Sequence, residues 1–147
     1  TVENAPADAD SGLVYEEGYF DANVTLSGSG TYTMATQKEC AYTRVGRVVH
    51  CQGEIEVASE SSPVGDLRVA LPYTSATLTN KADYVYGTAM VMNGGSTLAG
   101  KFYFYISDGV AYGMIRLIAD DTTSSNMDKD DVDTNFNLAF TVTYIVA

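Results

Sequence analysis

Apolar and polar residues alternate one by one along almost the whole chain, and this alternation constrains the fold more than any other feature. Successive side chains of a strand point to opposite faces of a sheet, so a period of two predicts strands with one buried face. No segment has the i, i+3, i+4, i+7 apolar spacing of an amphipathic helix over three turns. We therefore predict an all-β, antiparallel protein with about eight strands, near residues 19–26, 38–45, 47–57, 66–71, 82–92, 101–106, 110–118 and 136–146.

Turns rich in glycine and serine separate these predicted strands. Ser27–Gly30 and Ser107–Gly109 have the residue types that tight turns need, and Gly87, inside a predicted strand, indicates a bulge or a close contact. Short strands with such turns are typical of two packed sheets, and we predict a jelly-roll-like β-sandwich. Residues 13–147 would form this single domain. The small and acidic residues 1–12 would be a linker from an upstream region of a longer protein.

One hairpin can be assigned a register from the sequence. A two-residue turn at Val45–Gly46 would place Arg44 opposite Arg47 and Cys40 opposite Cys51. Two like charges side by side should have an acidic neighbour. Directly opposite cysteines are within reach of a disulfide, but we favour the interpretation that both are small buried thiols.

The charge of the chain disfavours several classes of partner. Its 147 residues include 8 Lys and Arg and 19 Asp and Glu, for a formal net charge of −11. A surface this negative repels phosphate, so we expect neither nucleic-acid binding nor docking on anionic lipid. No apolar run approaches the roughly 20 residues that span a bilayer, so we expect no membrane insertion.

Few residues have the pattern of a catalytic or metal site. The single histidine, His50, is predicted on a solvent-facing strand position, and the chain has no Gly-x-Ser-x-Gly motif. Residues 119–135 are predicted to form a long acidic loop. Asp131 and Asp133 in it have the alternate spacing of a calcium loop, but Phe136 stands where an EF-hand needs glycine. We expect no metal and no cofactor, although a loose surface cation site on this loop stays open.

Paired carboxylates could in principle hydrolyse a glycosidic bond. Most of the acidic residues are predicted in loops or on outward strand faces, where solubility explains them. We therefore expect no enzyme activity and no catalytic residues. A glycosidase-like role for Asp130 and Asp131 is kept as a third hypothesis.

The 11 tyrosines are the most suggestive feature of the composition. Tyr103 and Tyr105 are predicted to point away from the apolar face of their strand, and Tyr84 and Tyr86 share a face of another strand. An exposed tyrosine offers a flat apolar ring and a hydroxyl, which suits sugars and protein interfaces. We predict these four residues as binding candidates. The alternative is that they line a second sandwich face or a subunit interface.

Several segments occur in an order that is similar to a known family. The order is Gly-Ser-Gly-Thr-Tyr-Thr at 28–33, Ala-Tyr-Thr-Arg-Val-Gly-Arg-Val-Val at 41–49, Gly-Glu-Ile at 53–55, Gly-Asp-Leu-Arg-Val-Ala-Leu-Pro-Tyr at 65–73, and Thr-Val-Thr-Tyr at 141–144. In this order and spacing they resemble the C-terminal β-sandwich domain of bacteriophage tail fibres, tail spikes and head fibres. Met34 stands where the family usually has proline.

The resemblance implies a structural protein of the virion. It implies the terminal domain of a tail fibre or of a capsid-attached fibre or knob, which forms a homotrimer and contacts other virion proteins. It also implies host attachment through a surface glycan or protein, without catalytic residues. Threefold packing would have a physical benefit, because it could bury a tyrosine-rich face. The alternative is a carbohydrate-binding module of a secreted enzyme.

Overall fold

The computed structural model describes residues 14–94, 100–118 and 123–147, so the expected linker at 1–12 lies outside it. The fold is all-β and antiparallel, which confirms the predicted fold class. The strands are β1 Tyr15–Asp21, β2 Val24–Leu26, β3 Thr31–Met34, β4 Glu39–Val45, β5 Val48–Ser61, β6 Leu67–Ala70, β7 Val85–Gly94, β8 Lys101–Ile106, β9 Tyr112–Ile118, β10 Ser124–Asn126 and β11 Val132–Ile145. Two 3₁₀ turns, Thr79–Lys81 and Lys129–Asp131, are the helical elements of the described ranges. Neither is long or apolar enough to cross a membrane.

The strands form one continuous path that curls into a half-barrel. The order is β1-β4-β5-β11-β7-β8-β9-β6-β2, with β3 added beside β5 and β10 beside β9. The two ends of this path, β1 and β2, are neighbours in sequence, joined by Ala22 and Asn23. β8 and β11 both pair with β7, and across it the inward rings of Phe104 and Phe140 stack with centroids 4.4 Å apart.

The strand predicted at 19–26 is split into β1 and β2. The Ala22 amide donates to the Lys38 carbonyl on one side (2.9 Å), whereas the Asn23 carbonyl accepts from the Ala70 amide on the other (3.0 Å). The chain therefore changes pairing partner at these two residues. The apolar alternation runs on through Ala22 and Val24, which are both buried, so the sequence pattern does not reveal the change.

The buried core follows the predicted alternation. The fully buried side chains come from alternate positions of the strands, among them Val49, Cys51, Ile55, Leu67, Val69, Phe104, Ile115 and Leu138. Gly87 makes the close contact that the sequence indicated, because a Cβ there would lie 2.2 Å from the Thr141 carbonyl oxygen. Gly113 likewise allows a close contact, because a Cβ there would lie 2.1 Å from the Phe104 ring.

The acidic stretch predicted as a loop contains more structure than expected. Within 123–135 the chain forms β10, the turn Lys129–Asp131 and the first residues of β11, which begins at Val132 rather than at 136. Ser124, Ser125 and Asn126 have no apolar alternation, and they form a strand because their backbone pairs with β9. Met127, directly after them, is fully buried.

The predicted turn of the β4–β5 hairpin is displaced by one residue, so the predicted register is wrong by two residues. The turn is Gly46–Arg47, so that Val45 faces Val48 and Tyr42 faces Cys51. Gly46 has φ 60°, which glycine adopts freely and a β-branched residue such as Val45 does not. Val45 therefore stays in the strand.

In this register neither the two arginines nor the two cysteines are directly opposite each other. Arg44 lies opposite Glu16 of β1, which is the acidic neighbour that the sequence required. Arg47 donates from Nε to the Val146 carbonyl (3.0 Å). Cys40 and Cys51 are free and buried, as we favoured from the sequence. Burial raises the pKa of the Cys40 thiol to about 11 and that of Cys51 to about 12, so both stay protonated near neutral pH.

Candidate functional site

Three of the four predicted binding tyrosines meet on the outward side of β7 and β8. Tyr86 and Tyr105 are directly opposite each other, with ring centroids 5.0 Å apart. Tyr84, just before β7, packs edge-on against Tyr105 at 5.8 Å. Tyr103 lies two residues before Tyr105 on the same side of β8 and faces Thr88 of β7. We call Tyr84, Tyr86, Tyr103 and Tyr105 the tyrosine face.

Tyr105 is buried, although it does not belong to the core. It is 6% exposed, and it is absent from the continuous cluster of buried apolar residues inside the half-barrel. Tyr84, Tyr86 and the guanidinium of Arg116, 4.9 Å from its ring, cover it from outside. This burial raises the pKa of the Tyr105 hydroxyl. The prediction that the ring is exposed is wrong for Tyr105 and right for Tyr86, which is 58% exposed.

Three cationic side chains stack on tyrosines of this part of the molecule. Arg116 lies over Tyr105, and the Lys81 ammonium is 5.3 Å from the ring centre of Tyr84. Arg68 lies over Tyr112 at 4.5 Å. A cation held over an aromatic face is stabilised by the ring quadrupole. The tyrosine face is therefore bordered by positive charge on an acidic protein.

The sequence analysis did not identify these cations as part of a site, although the uneven distribution of charge along the chain indicates them. Residues 67–118 contain four of the eight Lys and Arg residues but only two of the 19 acidic ones. The whole-chain charge of −11 conceals this local excess of positive charge. The basic residues of this segment are Arg68, Lys81, Lys101 and Arg116, and the acidic ones are Asp83 and Asp108.

The segment before β7 holds Lys81 in an unusual backbone conformation. Asn80 and Lys81 have φ of 58° and 59°, in the left-handed region that non-glycine residues seldom adopt. The buried Asp83 carboxylate accepts a hydrogen bond from the Leu78 amide (2.6 Å), and the Tyr84 amide donates to the Lys81 carbonyl (3.2 Å). Backbone strain of this kind often occurs at functional sites. Here it places the lysine ammonium over Tyr84.

His50 has the surroundings of a strand residue rather than of a catalytic base. Its Nδ1 is 2.9 Å from Thr143 Oγ1, and its Nε2 is 3.4 Å from Gln52 Oε1. Within the described part of the chain, no carboxylate contacts either ring nitrogen. Among the described residues, the imidazole therefore lacks the carboxylate that orients the histidine of a Ser-His-Asp triad.

The described part of the acidic stretch uses its carboxylates to cap a turn. Asp128 accepts from the Asp130 amide (2.8 Å), and Asp131 accepts from the Asp128 amide (2.9 Å). Lys129 pairs with Asp130. Among residues 14–94, 100–118 and 123–147, no three His, Cys, Asp or Glu side chains group as metal ligands do. Residues 119–122 of the predicted cation site lie outside the described ranges.

The capping box gives a prediction about Asp128. Asparagine caps a helical turn as well as aspartate does, so Asp128→Asn should leave the melting temperature nearly unchanged. Asp128→Ala removes the acceptor and should cost about 1 kcal/mol. Thermal unfolding with and without a chelator checks both variants. A fall of many degrees on adding the chelator would instead reveal a bound cation.

A second polar cluster joins β1, β4 and the segment after β6. The Tyr42 hydroxyl donates to Glu16 Oε1 (2.6 Å), and the Tyr73 hydroxyl lies 3.4 Å from that of Tyr42. The guanidinium of Arg44 is 4.9 Å from the ring centre of Tyr73. The hydrogen bond from Tyr42 holds the pKa of the Glu16 carboxyl below its ordinary value of 4.5. The cluster therefore depends on an ionised Glu16.

We expect Glu16→Gln to remove a pH-dependent part of the stability. Because the folded-state pKa is lowered, this contribution is present above pH 4.5 and is lost as the pH falls through the folded-state value. The melting temperatures of wild type and variant should differ at neutral pH and converge on acidification. The measurement is thermal unfolding between pH ~6 and ~3. A difference that stays constant over this range would contradict the role given to Glu16.

Comparisons with protein-family models, with curated protein sequences and with solved structures found no match.

Proposed function

We propose that the chain is a non-enzymatic attachment domain that binds a host-surface glycan or protein through the tyrosine face. The chain would be part of a virion structural protein. It would form the terminal domain of a phage tail fibre, or of a fibre or knob attached to the capsid. The observation that carries the proposal is a cluster of tyrosines on the outside of the sheet. Tyr105 is packed there under Tyr84 and Tyr86, and Tyr86 remains largely exposed.

The packing of these rings suits recognition better than it suits folding. Tyr105 is covered by aromatic and cationic side chains that lie on the outer side of the sheet, away from the core. The contacts of Tyr105 with Tyr84 and Tyr86 hold the rings in place before a ligand binds. A surface that is preorganised in this way loses less entropy on binding. Rigid aromatic anchors of this kind are typical of binding surfaces.

The surroundings of the acidic residues favour binding over hydrolysis. A glycosidase needs a carboxylic acid with a raised pKa and a second carboxylate across the sugar. Asp128 and Asp131 accept backbone hydrogen bonds, and Asp130 pairs with Lys129. These contacts show that the three residues stabilise the turn at Lys129–Asp131. They weaken the third hypothesis, in which Asp130 and Asp131 act as a catalytic pair.

A separate exposed apolar row supports the proposed homotrimer. Tyr15, Val45, Val48 and Ile145 are cross-strand neighbours on β1, β4, β5 and β11, and each is more than one-third exposed. The row lies beside Val14, where residues 1–13 join the described domain. Copies joined upstream to one stalk would bring these rows together. Exposed apolar rows are characteristic of subunit contacts.

We expect light scattering to give a mass of about 47 kDa, three times the 15.7 kDa of one chain. Replacing Val45 and Val48 together by threonine should shift the mass toward 15.7 kDa, because hydroxyls in a contact between copies would lose their water. The matched control is Thr25→Ser, an exposed strand residue of β2. A monomeric wild type would contradict the trimer and favour the alternative, a carbohydrate-binding module of a secreted enzyme.

A glycan array tests the attachment function with two matched variants. Tyr86→Ala removes the exposed ring of the tyrosine face, and Tyr19→Ala removes an equally exposed ring, 65% accessible, on β1. We expect wild type and Tyr19→Ala to bind the same glycans and Tyr86→Ala to lose at least about tenfold in affinity. Equal binding by all three proteins would contradict the proposal.

A further inference from the structure

We propose that the tyrosine face takes glycans that carry carboxylate or sulfate groups. This inference rests on the proposed attachment function and adds the chemical class of the ligand. The sequence alone led to the opposite expectation for anions, because the chain as a whole is strongly acidic. Three cations border the tyrosines: Arg68, Lys81 and Arg116.

None of these cations has a carboxylate partner within the described part of the chain. The two ion pairs found there, Lys38–Asp21 and Lys129–Asp130, involve other residues. Arg116 donates from Nη1 to the Ser124 hydroxyl (3.0 Å). The Nε atoms of Arg68 and Arg116 are buried without a hydrogen-bond partner. Both guanidinium groups therefore stack on tyrosines, and neither forms an ion pair with a described residue.

The distribution of charge makes this surface the place where an anion would bind. The segment 67–118 carries a small positive excess, although the chain carries −11. The acids of this segment are Asp83, which is buried and bonded to the Leu78 amide, and Asp108, which lies near Tyr105. Just before the segment, the Asp66 carboxylate accepts a hydrogen bond from the Asn126 side-chain amide (2.9 Å). Asp120 and Asp121, just after it, lie outside the described residues. The remaining acidic surface repels anions, so an anionic ligand is directed to the tyrosine face. The same repulsion works most strongly against nucleic acid, whose charge density is far higher.

The spacing of the groups fits an extended sugar chain. Arg68 lies opposite Met114, two residues from Arg116, so the two arginines are diagonal neighbours with Cα atoms about 7–8 Å apart. Tyr105 is the cross-strand neighbour of Met114 on the other side, and Tyr86 follows it. Flat rings beside fixed cations offer stacking for the sugar and charge for its substituents. An acidic peptide would use the charges but not the flat rings.

A matched pair of polymers tests the inference on the full chain. Carboxymethyl-dextran and dextran have the same backbone and differ in charge. We expect the protein to bind carboxymethyl-dextran at least about tenfold more tightly, with an affinity that falls steeply as salt is raised. Arg68→Gln and Arg116→Gln should each weaken this binding about tenfold. The control is Arg44→Gln, which removes another arginine stacked at 4.9 Å on a tyrosine, outside the tyrosine face.

The remaining outcomes separate this inference from the attachment function. Equal binding of dextran and carboxymethyl-dextran, lost in Tyr86→Ala, would contradict the anionic ligand and leave the attachment function standing. Equal binding of poly-glutamate would contradict the requirement for a sugar. Failure to bind carboxymethyl-dextran, or an equal loss in Arg44→Gln, would overturn the inference. Melting temperatures of all variants exclude unfolding as the cause of a loss.

Discussion

Val69→Asp is expected to lower the free energy of unfolding by at least about 3 kcal/mol, or roughly 10 °C in melting temperature. Val69 is fully buried on β6 and faces Val24 of β2, which is also buried. A carboxylate at this position would lose its water without gaining an ionic or hydrogen-bonded partner. The loss of stability would be large because β6 and β2 form one end of the strand path. Ala22 and Asn23 connect this end to β1, the other end of the path.

Thr25→Asp is the matched control for this variant. Thr25 lies beside Val24 on the same short strand, but it is exposed and faces Arg68. The same charge should change the stability there by less than about 1 kcal/mol. Thermal and urea unfolding of the two variants give the comparison. An unchanged melting curve for Val69→Asp would show that the inward face of β6 has been assigned to the wrong side.

Gly113→Ala is expected to have the second largest effect, a loss of about 2–3 kcal/mol. The ring of Phe104 lies over Gly113, and an added Cβ would be 2.1 Å from it. The ring cannot move freely, because Phe104 is fully buried and stacks on Phe140. A single methyl group therefore forces a displacement within the core.

A double variant tests this mechanism directly. Phe104→Leu removes the part of the ring that crowds Gly113, so Phe104→Leu with Gly113→Ala should cost less than the sum of the two single variants. Gly18→Ala is the control, because the nearest atom to its Cβ, on the Tyr42 ring, is 3.2 Å away. We expect a loss below about 1 kcal/mol for the control. Additive costs in the double variant would contradict the contact.

The alternation of side chains predicts, for each residue, whether it faces the core or the outside of its own strand. It separates Phe104 and Ile106, which enter the core, from Tyr103 and Tyr105, which point outward. It also places Val69 inside. These assignments need only the two-residue period of a strand, so they follow from the sequence without knowledge of which strands are neighbours.

The misassigned features depend on pairing between strands. The break at Ala22–Asn23 follows from the change of hydrogen-bond partners, and β10 forms because β9 offers it a free edge. The burial of Tyr105 likewise depends on Tyr84 and Tyr86, which arrive from another strand. The hairpin register is different, because a β-branched residue such as Val45 disfavours the positive φ of a two-residue turn, and this preference could have placed the turn at Gly46–Arg47.

The most direct test of the binding surface is an NMR titration of the full chain with a glycan that the array selects. We expect the largest shifts at Tyr84, Tyr86 and Tyr103 and at the guanidinium groups of Arg68 and Arg116. The signals of His50 and Thr43, which lie on β5 and β4, should stay unchanged. Shifts concentrated at β4 and β5, with the tyrosine face unaffected, would contradict binding at the tyrosine face.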